Sequence, residues 1–262
     1  MNSNRLFTAS VISTLIIVAF FMVAVIISVI SYINWEKFPN IFFSEEILFA
    51  IKLSLLTATI SSILSMIVAV PVAFALSRFH FPGKDIIDTL IDIPIILSPI
   101  AMGAVLLIFF NNTNLGGFIE KNIIQFTFEM PGIILAQFVV VFALAVRLLK
   151  STFDSIDIRL ENVIRTLGAN KKQSIFYITL PMARHGLIAA FVLTWARAIG
   201  EFGATLTLAG ASTIKTETLP IAIHLSFAKA DVQQALIVVL ILLALAAIVL
   251  YTVRKLTRKV IL

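Results

Sequence analysis

The sequence predicts an all-α polytopic membrane protein with six transmembrane helices. Of its 262 residues, 60% are apolar and only 13% are charged, and the mean hydropathy is +1.07. Soluble domains average about 45–50% apolar and about 25% charged residues, and one soluble core cannot cover so much apolar surface. The apolar runs are continuous rather than alternating, which argues against a β-barrel. This composition excludes a soluble enzyme, a disordered chain and a coiled coil.

Each of the six predicted helices is a run long enough to cross a bilayer, which takes about 20 residues. In chain order they are residues 11–33, 47–77, 86–110, 131–149, 187–208 and 235–253. The first run is longer than the apolar core of a signal peptide and no small-residue cleavage site follows it, so we expect a helix there. The expected organisation is a first helix with its outer loop (1–46), a transmembrane domain (47–253) and a basic cytoplasmic tail (254–262).

The positive charge is distributed unevenly between the two sides of the predicted bundle. Fourteen of the 20 Lys and Arg residues lie in one set of alternate loops, and only four lie in the opposite set. Cytoplasmic loops carry the excess of Lys and Arg, so both termini are expected to be cytoplasmic. The net charge of +6 therefore indicates orientation and contact with the lipid bilayer, and no nucleic acid partner is expected.

The sequence lacks the motifs of catalysis and of nucleotide or metal binding. Gly83-Lys84 has neither the upstream glycine nor the Ser/Thr of a phosphate-binding loop, and no H-E-x-x-H or G-x-S-x-G occurs. There is no cysteine, and the three histidines are scattered. We therefore expect no catalytic residue, no metal site and no cofactor bound by this chain.

The loop between the fourth and fifth predicted helices, residues 150–185, is the longest and most charged cytoplasmic loop. Its apolar residues form one stripe at helical spacing, made of Ile156, Leu160, Val163, Ile164 and Leu167. Asp154 or Ser155 is expected to cap this helix, and Gly168 to end it. Two interpretations remain open, an interfacial helix lying on lipid and a helix that docks in the groove of a cytoplasmic partner.

The residues beyond this helix resemble a known family. Gly168 is followed by nine residues and then by Ile178-Thr179-Leu180-Pro181. This spacing, together with Arg165-Thr166-Leu167-Gly168-Ala169, resembles the EAA loop of ABC-transporter permeases, the membrane subunits of binding-protein-dependent importers. The Glu-Ala-Ala triplet is not kept, because Asn162-Val163-Ile164 stands there, with Glu161 one place earlier.

The resemblance implies a type I ABC importer permease fold and a separate ATPase subunit that binds ATP and Mg. The residues that it implies for coupling to that ATPase are Leu160, Glu161, Asn162, Val163, Ile164, Arg165, Thr166, Leu167, Gly168, Ala169, Leu180 and Pro181. Independently of the family, Pro181 cannot continue a helix, so we expect it to fix a turn into the fifth span.

Two further stretches are similar to the sulfate/molybdate/tungstate branch of these permeases. They are Arg197-Ala-Ile-Gly-Glu-Phe-Gly-Ala-Thr205 in the fifth span and Asp92-Ile-Pro-Ile-Ile-Leu-Ser-Pro99 in the third. The resemblance implies import of a tetrahedral oxyanion across the cell membrane of a prokaryote, and the short chain favours molybdate or tungstate over sulfate. It also implies three partners: a cytoplasmic ABC ATPase dimer, an extracytoplasmic oxyanion-binding protein and a second copy of this chain.

The candidate pathway residues are Ser98, Pro99, Arg197, Glu201 and Thr205. Arg197 and Glu201 lie one helical turn apart and are expected to pair, because a charge inside a membrane costs about 2.5–3.5 kcal/mol. The pair either lines the pathway or holds helices in register. The break expected near Ser98 either presents backbone groups to an ion or is a packing kink. A self-sufficient secondary transporter or channel remains the alternative from another class.

Overall fold

The structure, a computed structural model, describes residues 2–258. The helices are α1 (Asn2–Tyr32), α2 (Phe38–Phe42), α3 (Glu45–Arg78), α4 (Lys84–Ile96), α5 (Pro99–Asn112), α6 (Asn114–Asn122), α7 (Met130–Asp154), α8 (Ile158–Thr166), α9 (Lys171–Ser174), a π-helical segment (Ile175–Thr179), α10 (Leu180–Ile199), α11 (Gly203–Ala209), α12 (Leu219–Ala228) and α13 (Val232–Arg258). Within residues 2–258 there is no β-strand. Part of the expected basic tail, residues 259–262, lies outside the described residues.

The polytopic prediction is confirmed. Five helical stretches are long and apolar enough to cross a membrane, and α4 and α5 together make a sixth, bent candidate. The five single stretches are Phe7–Tyr32, Glu45–Arg78, Met130–Asp154, Lys171–Ile199 and Val232–Tyr251. A further short apolar helix, α12, lies between the fifth and sixth predicted spans, where no helix was predicted.

The third predicted span, residues 86–110, consists of two helices, and the break expected near Ser98 is confirmed. The axes of α4 and α5 meet at 113°, and Leu97 and Ser98 between them are extended. Pro99 disfavours the helical conformation at Ser98, and the Ser98 hydroxyl then accepts a hydrogen bond from the Ala101 N–H and caps α5. Pro94 does not break the chain, because it lies inside α4.

The prediction of one continuous fifth helix over residues 187–208 is wrong. Helical structure begins at Lys171, and α10 ends at Ile199, so that three non-helical residues, 200–202, precede α11. Pro181 does not fix a turn; it is the second residue of α10, and the π-helical segment leads into it without interruption. The locally widened turn accommodates the proline, which has no N–H to donate. Ala196, Gly200 and Ala204 would share one face of a continuous helix, but the break separates Ala204 from the other two.

Helices α3 and α7 form the centre of the bundle, with α10 packed against both. Their contact surfaces are rich in small residues, which allow helices to approach closely; those with no exposed surface include Ala69, Ala73, Ala143 and Ala145. Polar contacts cross the same interface, since the Ser61 hydroxyl bonds the Gln137 Oε1 at 3.2 Å. By contrast, the apolar window of α1 has no buried residue.

Candidate coupling helix and membrane pathway

Helix α8 is the short amphipathic helix expected in the cytoplasmic loop, with a different start. Asp157 caps it by accepting a hydrogen bond from the Arg159 N–H at 2.9 Å, so Asp154 or Ser155 as the cap was wrong. Asp154 instead ends α7. The predicted end is confirmed, because Gly168 has φ +94°, a conformation that favours glycine. The loop predicted over residues 150–185 is shorter in the structure and covers residues 155–170, because α7 extends to Asp154 and α9 begins at Lys171.

Most apolar side chains of α8 and its C-terminal end are exposed within the described part of the chain. Leu160, Val163 and Leu167 are exposed, and Leu167 has 82% of its surface accessible. Ile156 departs from the predicted stripe, because it precedes the helix and is buried against α3 and α7. This apolar helix face is therefore left uncovered by the described residues.

Glu161 faces the opposite way from this apolar face. Its Oε1 accepts hydrogen bonds from Arg78 Nε at 2.8 Å and from the Thr179 hydroxyl at 3.0 Å. The Ser174 hydroxyl donates to the Glu161 carbonyl oxygen at 3.2 Å. Glu161 is thus bound within the chain, while Asn162 and Arg165 stay exposed.

The remaining candidate coupling residues occupy mixed positions. Ile164, Ala169 and Leu180 are half-buried, whereas Thr166 and Pro181 are exposed. Leu180 and Pro181 begin α10, and the π-helical segment separates them from α9. The EAA-like stretch is therefore divided between α8 and the start of α10.

The predicted pair of Arg197 and Glu201 is confirmed, and it lies at the break between α10 and α11. Arg197 Nη1 is 2.7 Å from Glu201 Oε2, with the two side chains 38% and 1% exposed. Glu201 Oε1 also accepts a hydrogen bond from the Ala204 N–H at 3.0 Å, so the carboxylate joins α10 to the first turn of α11. Thr205, which the break separates from Arg197, is fully buried.

The two helix breaks touch each other. A Cβ atom placed on Gly203 would lie 3.1 Å from Pro99 Cβ and 2.9 Å from the Ile100 nitrogen. A Cβ atom on Gly103 would lie 2.8 Å from the Ala204 carbonyl oxygen. The structure thus brings the Ser98–Pro99 break of the third span onto the break that holds Arg197 and Glu201.

Sequence reasoning missed two contacts near these breaks. The ring of Phe202 lies 5.3 Å from the imidazole of His224, one of the three scattered histidines, which belongs to α12. Arg147, near the end of the fourth predicted span, lies in α7 and pairs with Asp88 and Asp92 of α4. The four-residue spacing of the two aspartates was the only local signal of this contact.

No metal-binding group of three or more His, Asp or Glu side chains occurs within the described part of the chain. The polar residues at the two breaks are a cation, a carboxylate and hydroxyl groups. Their arrangement provides hydrogen bonds and one half-exposed positive charge, and it offers no nucleophile paired with a base.

Comparison with known proteins places this arrangement in a family. The model of the binding-protein-dependent transport system inner membrane component matches residues 61–261. The molybdenum transport system permease protein ModB of Haemophilus influenzae is 39% identical over 180 residues, which are 67% of this chain and 77% of that protein. A probable molybdenum ABC transporter permease of Haloferax volcanii is 36% identical over 78% of this chain and 73% of its own length. The sulfate permease CysW of Synechococcus elongatus is 38% identical over 66% of this chain and 60% of its own length.

Solved structures agree on the fold. A chain of a bacterial alginate ABC transporter, crystallised with an alginate pentasaccharide-bound periplasmic protein, matches with a TM-score of 0.79 at 18% identity, over 99% of this chain and 96% of that chain. A chain of an amino acid ABC transporter matches with a TM-score of 0.60 at 13% identity, over 85% of this chain and 95% of that chain. The chain belongs to the inner membrane components of binding-protein-dependent transport systems, as the multi-pass permease subunit of an ABC importer.

Proposed function

We propose that this permease moves a tetrahedral oxyanion, molybdate or tungstate, into the cytoplasm. The observation that carries the proposal is the half-exposed Arg197, held beside the buried Glu201 where the two broken helices meet. A cation whose charge is partly balanced attracts an anion without retaining it, which suits a conduit more than a storage site. Relatives described as molybdenum permeases support molybdate.

The proposed pathway runs beside the two breaks. Ser98 and Pro99 contribute the break of the third span, and Arg197 and Glu201 contribute that of the fifth. Thr205 packs behind the residues that line the proposed pathway, since it has no exposed surface. Broken helices release backbone groups that can contact an ion at membrane depth, which is why this region suits translocation.

The exposed face of α8 is the proposed docking surface for a cytoplasmic ATPase dimer that holds ATP and Mg. Leu160, Val163 and Leu167 provide the apolar contacts, and Asn162, Arg165 and Thr166 provide polar ones. An amphipathic helix that docks in a groove buries such a face, whereas contact of the same face with water is unfavourable in free energy. In this arrangement α8 faces the cytoplasm, with both chain termini on the same side.

A second copy of this chain and an extracytoplasmic oxyanion-binding protein complete the proposed importer. The chain buries none of the apolar window of α1, and Arg197 lies at a surface rather than inside a closed channel. Pairing two copies would enclose the pathway between them. The binding protein would supply the affinity that the partly balanced Arg197 lacks.

Reconstitution tests the proposal. The permease, its ATPase and its binding protein are placed in vesicles, and uptake of labelled molybdate, tungstate and sulfate is measured with and without ATP. We expect ATP-dependent uptake of molybdate and tungstate, and loss of ATPase association after deletion of residues 160–169. A preference for sulfate would favour the sulfate permease alternative. Uptake without any ATPase would support a secondary transporter or channel and would contradict the proposal.

A further inference from the structure

We propose that Arg78 and Glu161 form a pin that carries movement of α8 into the membrane helices. The proposal rests on the proposed docking of an ATPase at α8 and adds the residues that transmit the motion. Arg78 is the last residue of α3, and Glu161 lies in the first turn of α8, 83 positions later in the chain. The resemblance to the EAA loop did not predict this contact.

Arg78 binds α8 and the residues before it at two points. Its Nε donates to Glu161 Oε1 at 2.8 Å, and its Nη2 donates to the carbonyl oxygen of Ile156 at 2.8 Å. The planar guanidinium thereby fixes both the helix and the segment of chain that enters it. A lysine could not form both contacts, because it offers one flexible nitrogen instead of a rigid fork.

The pin is shielded from water, unlike the other charged contacts around it. The side chains of Arg78 and Glu161 are 8% and 12% exposed, whereas those of Lys150 and Asp154 are 27% and 46% exposed. Exposed ion pairs contribute little, because water and salt screen them and both side chains lose conformational freedom. A shielded and hydrogen-bonded pair holds its geometry, which a mechanical link requires.

The same carboxylate also reaches the fifth span. Glu161 Oε1 accepts the hydroxyl hydrogen of Thr179, which is fully buried at the end of the π-helical segment. Helix α10 continues from that point to Arg197 at the break. A displacement of α8 therefore pulls on α3 through Arg78 and on α10 through Thr179, and α10 leads to the proposed pathway.

The alternative is a brace that only helps the loop to fold. A brace predicts that weakening the contacts lowers the amount of folded permease and leaves the ATP used per transported anion unchanged. A pin predicts that ATPase binding persists while more ATP is hydrolysed for each anion moved. The ratio of ATP hydrolysed to anion transported separates the two roles.

The experiment uses the reconstituted importer with its ATPase and binding protein, and molybdate as the transported probe. Arg78→Lys and Glu161→Gln are each expected to raise the ATP-to-molybdate ratio about tenfold, the effect of losing one charge-assisted hydrogen bond. Thr179→Val, which removes one hydroxyl at nearly constant volume, should raise the ratio less, and Thr179→Ser should restore it. Arg184→Lys, the same change at an exposed position of α10, is the matched control and should leave the ratio unchanged.

Each outcome decides the proposal. A raised ratio with normal ATPase association supports the pin. An unchanged ratio in Arg78→Lys, Glu161→Gln and Thr179→Val overturns it, whether or not the amount of folded protein falls. If the unmodified permease transports molybdate without an ATPase, the proposed function fails instead, and the two failures are therefore distinguishable.

Discussion

Gly203 packs directly against Pro99, so the breaks in the third and fifth spans share one contact. A Cβ atom at Gly203 would lie 2.9 Å from the backbone nitrogen of Ile100, closer than side-chain carbons approach backbone atoms. The glycine is required by this approach rather than by its own backbone conformation. The contact joins the two parts of the chain that we propose to line the pathway.

Gly203→Ala should destabilise the permease by about 1–3 kcal/mol, because overpacking forces backbone to move at the contact. The measurement is the thermal unfolding midpoint of the detergent-solubilised protein. Gly200→Ala is the matched control, since a Cβ atom there would meet nothing closer than 3.8 Å. Equal midpoints for the two variants would show that the breaks do not press on each other.

Arg197→Ala should be more damaging than the double change Arg197→Ala/Glu201→Gln. The single change leaves the buried Glu201 carboxylate without its cation, which destabilises the fold by less than the cost of about 3–5 kcal/mol for a fully buried pair, because Arg197 is half-exposed and water screens it. The glutamine side chain of the double variant carries no charge and keeps an oxygen for the Ala204 N–H. Thermal unfolding and anion uptake are measured for both variants, and equal damage would contradict the pairing.

Arg147→Gln should loosen α4 from the bundle. No residue of α4 is buried, and Arg147 holds it through Asp88 at 2.7 Å, through Asp92, and through the carbonyl oxygen of Asp88. Hydrogen exchange over residues 84–96 should accelerate about tenfold, as expected for losing a charge-assisted hydrogen bond.

The control for this variant is Lys150→Gln, which removes a long and exposed pair with Asp154 at 3.4 Å. It should leave exchange in α4 unchanged. Unchanged exchange in Arg147→Gln as well would mean that apolar contacts, and not the ion pairs, hold α4 in place.

Glu217 should make stability depend on pH. It lies in the loop between α11 and α12, where burial, and secondarily the nearby charge of Glu46, raises its pKa above the ordinary value of 4.5. The folded chain therefore binds this proton more tightly than the unfolded chain. Its contribution to stability is fully present below the ordinary pKa and is lost as pH rises through the raised pKa.

Glu217→Gln should consequently raise the unfolding midpoint more at pH 8 than at pH 5. The amide imitates the protonated carboxyl and has no charge to bury. Glu36→Gln, at an exposed position, is the matched control and should not change the difference between the two pH values. A midpoint for Glu217→Gln that follows the unmodified protein at both pH values would exclude Glu217 as the source of the dependence.

The features that local sequence predicts correctly are those decided by a few neighbouring residues. The amphipathic spacing and Gly168 predicted α8 and its end, and the four-residue spacing predicted the pair of Arg197 and Glu201. The cap was misplaced by a few residues, because α7 extends further than its apolar run. The break near Ser98 was expected from the prolines of the third span, whereas the interruption at residues 200–202 was missed, because hydropathy does not change where that helix stops.

The sequence by itself determined that the chain lies in a membrane and that the loop after the fourth span holds a short amphipathic helix, because hydropathy, charge distribution and motif spacing are properties of neighbouring residues. Tertiary structure alone decided that Arg78 meets Glu161, that Gly203 meets Pro99 and that Thr205 is buried. These relationships join residues far apart in the chain or depend on the angle of a break. Such distances and angles follow from how the helices pack, which no local pattern encodes.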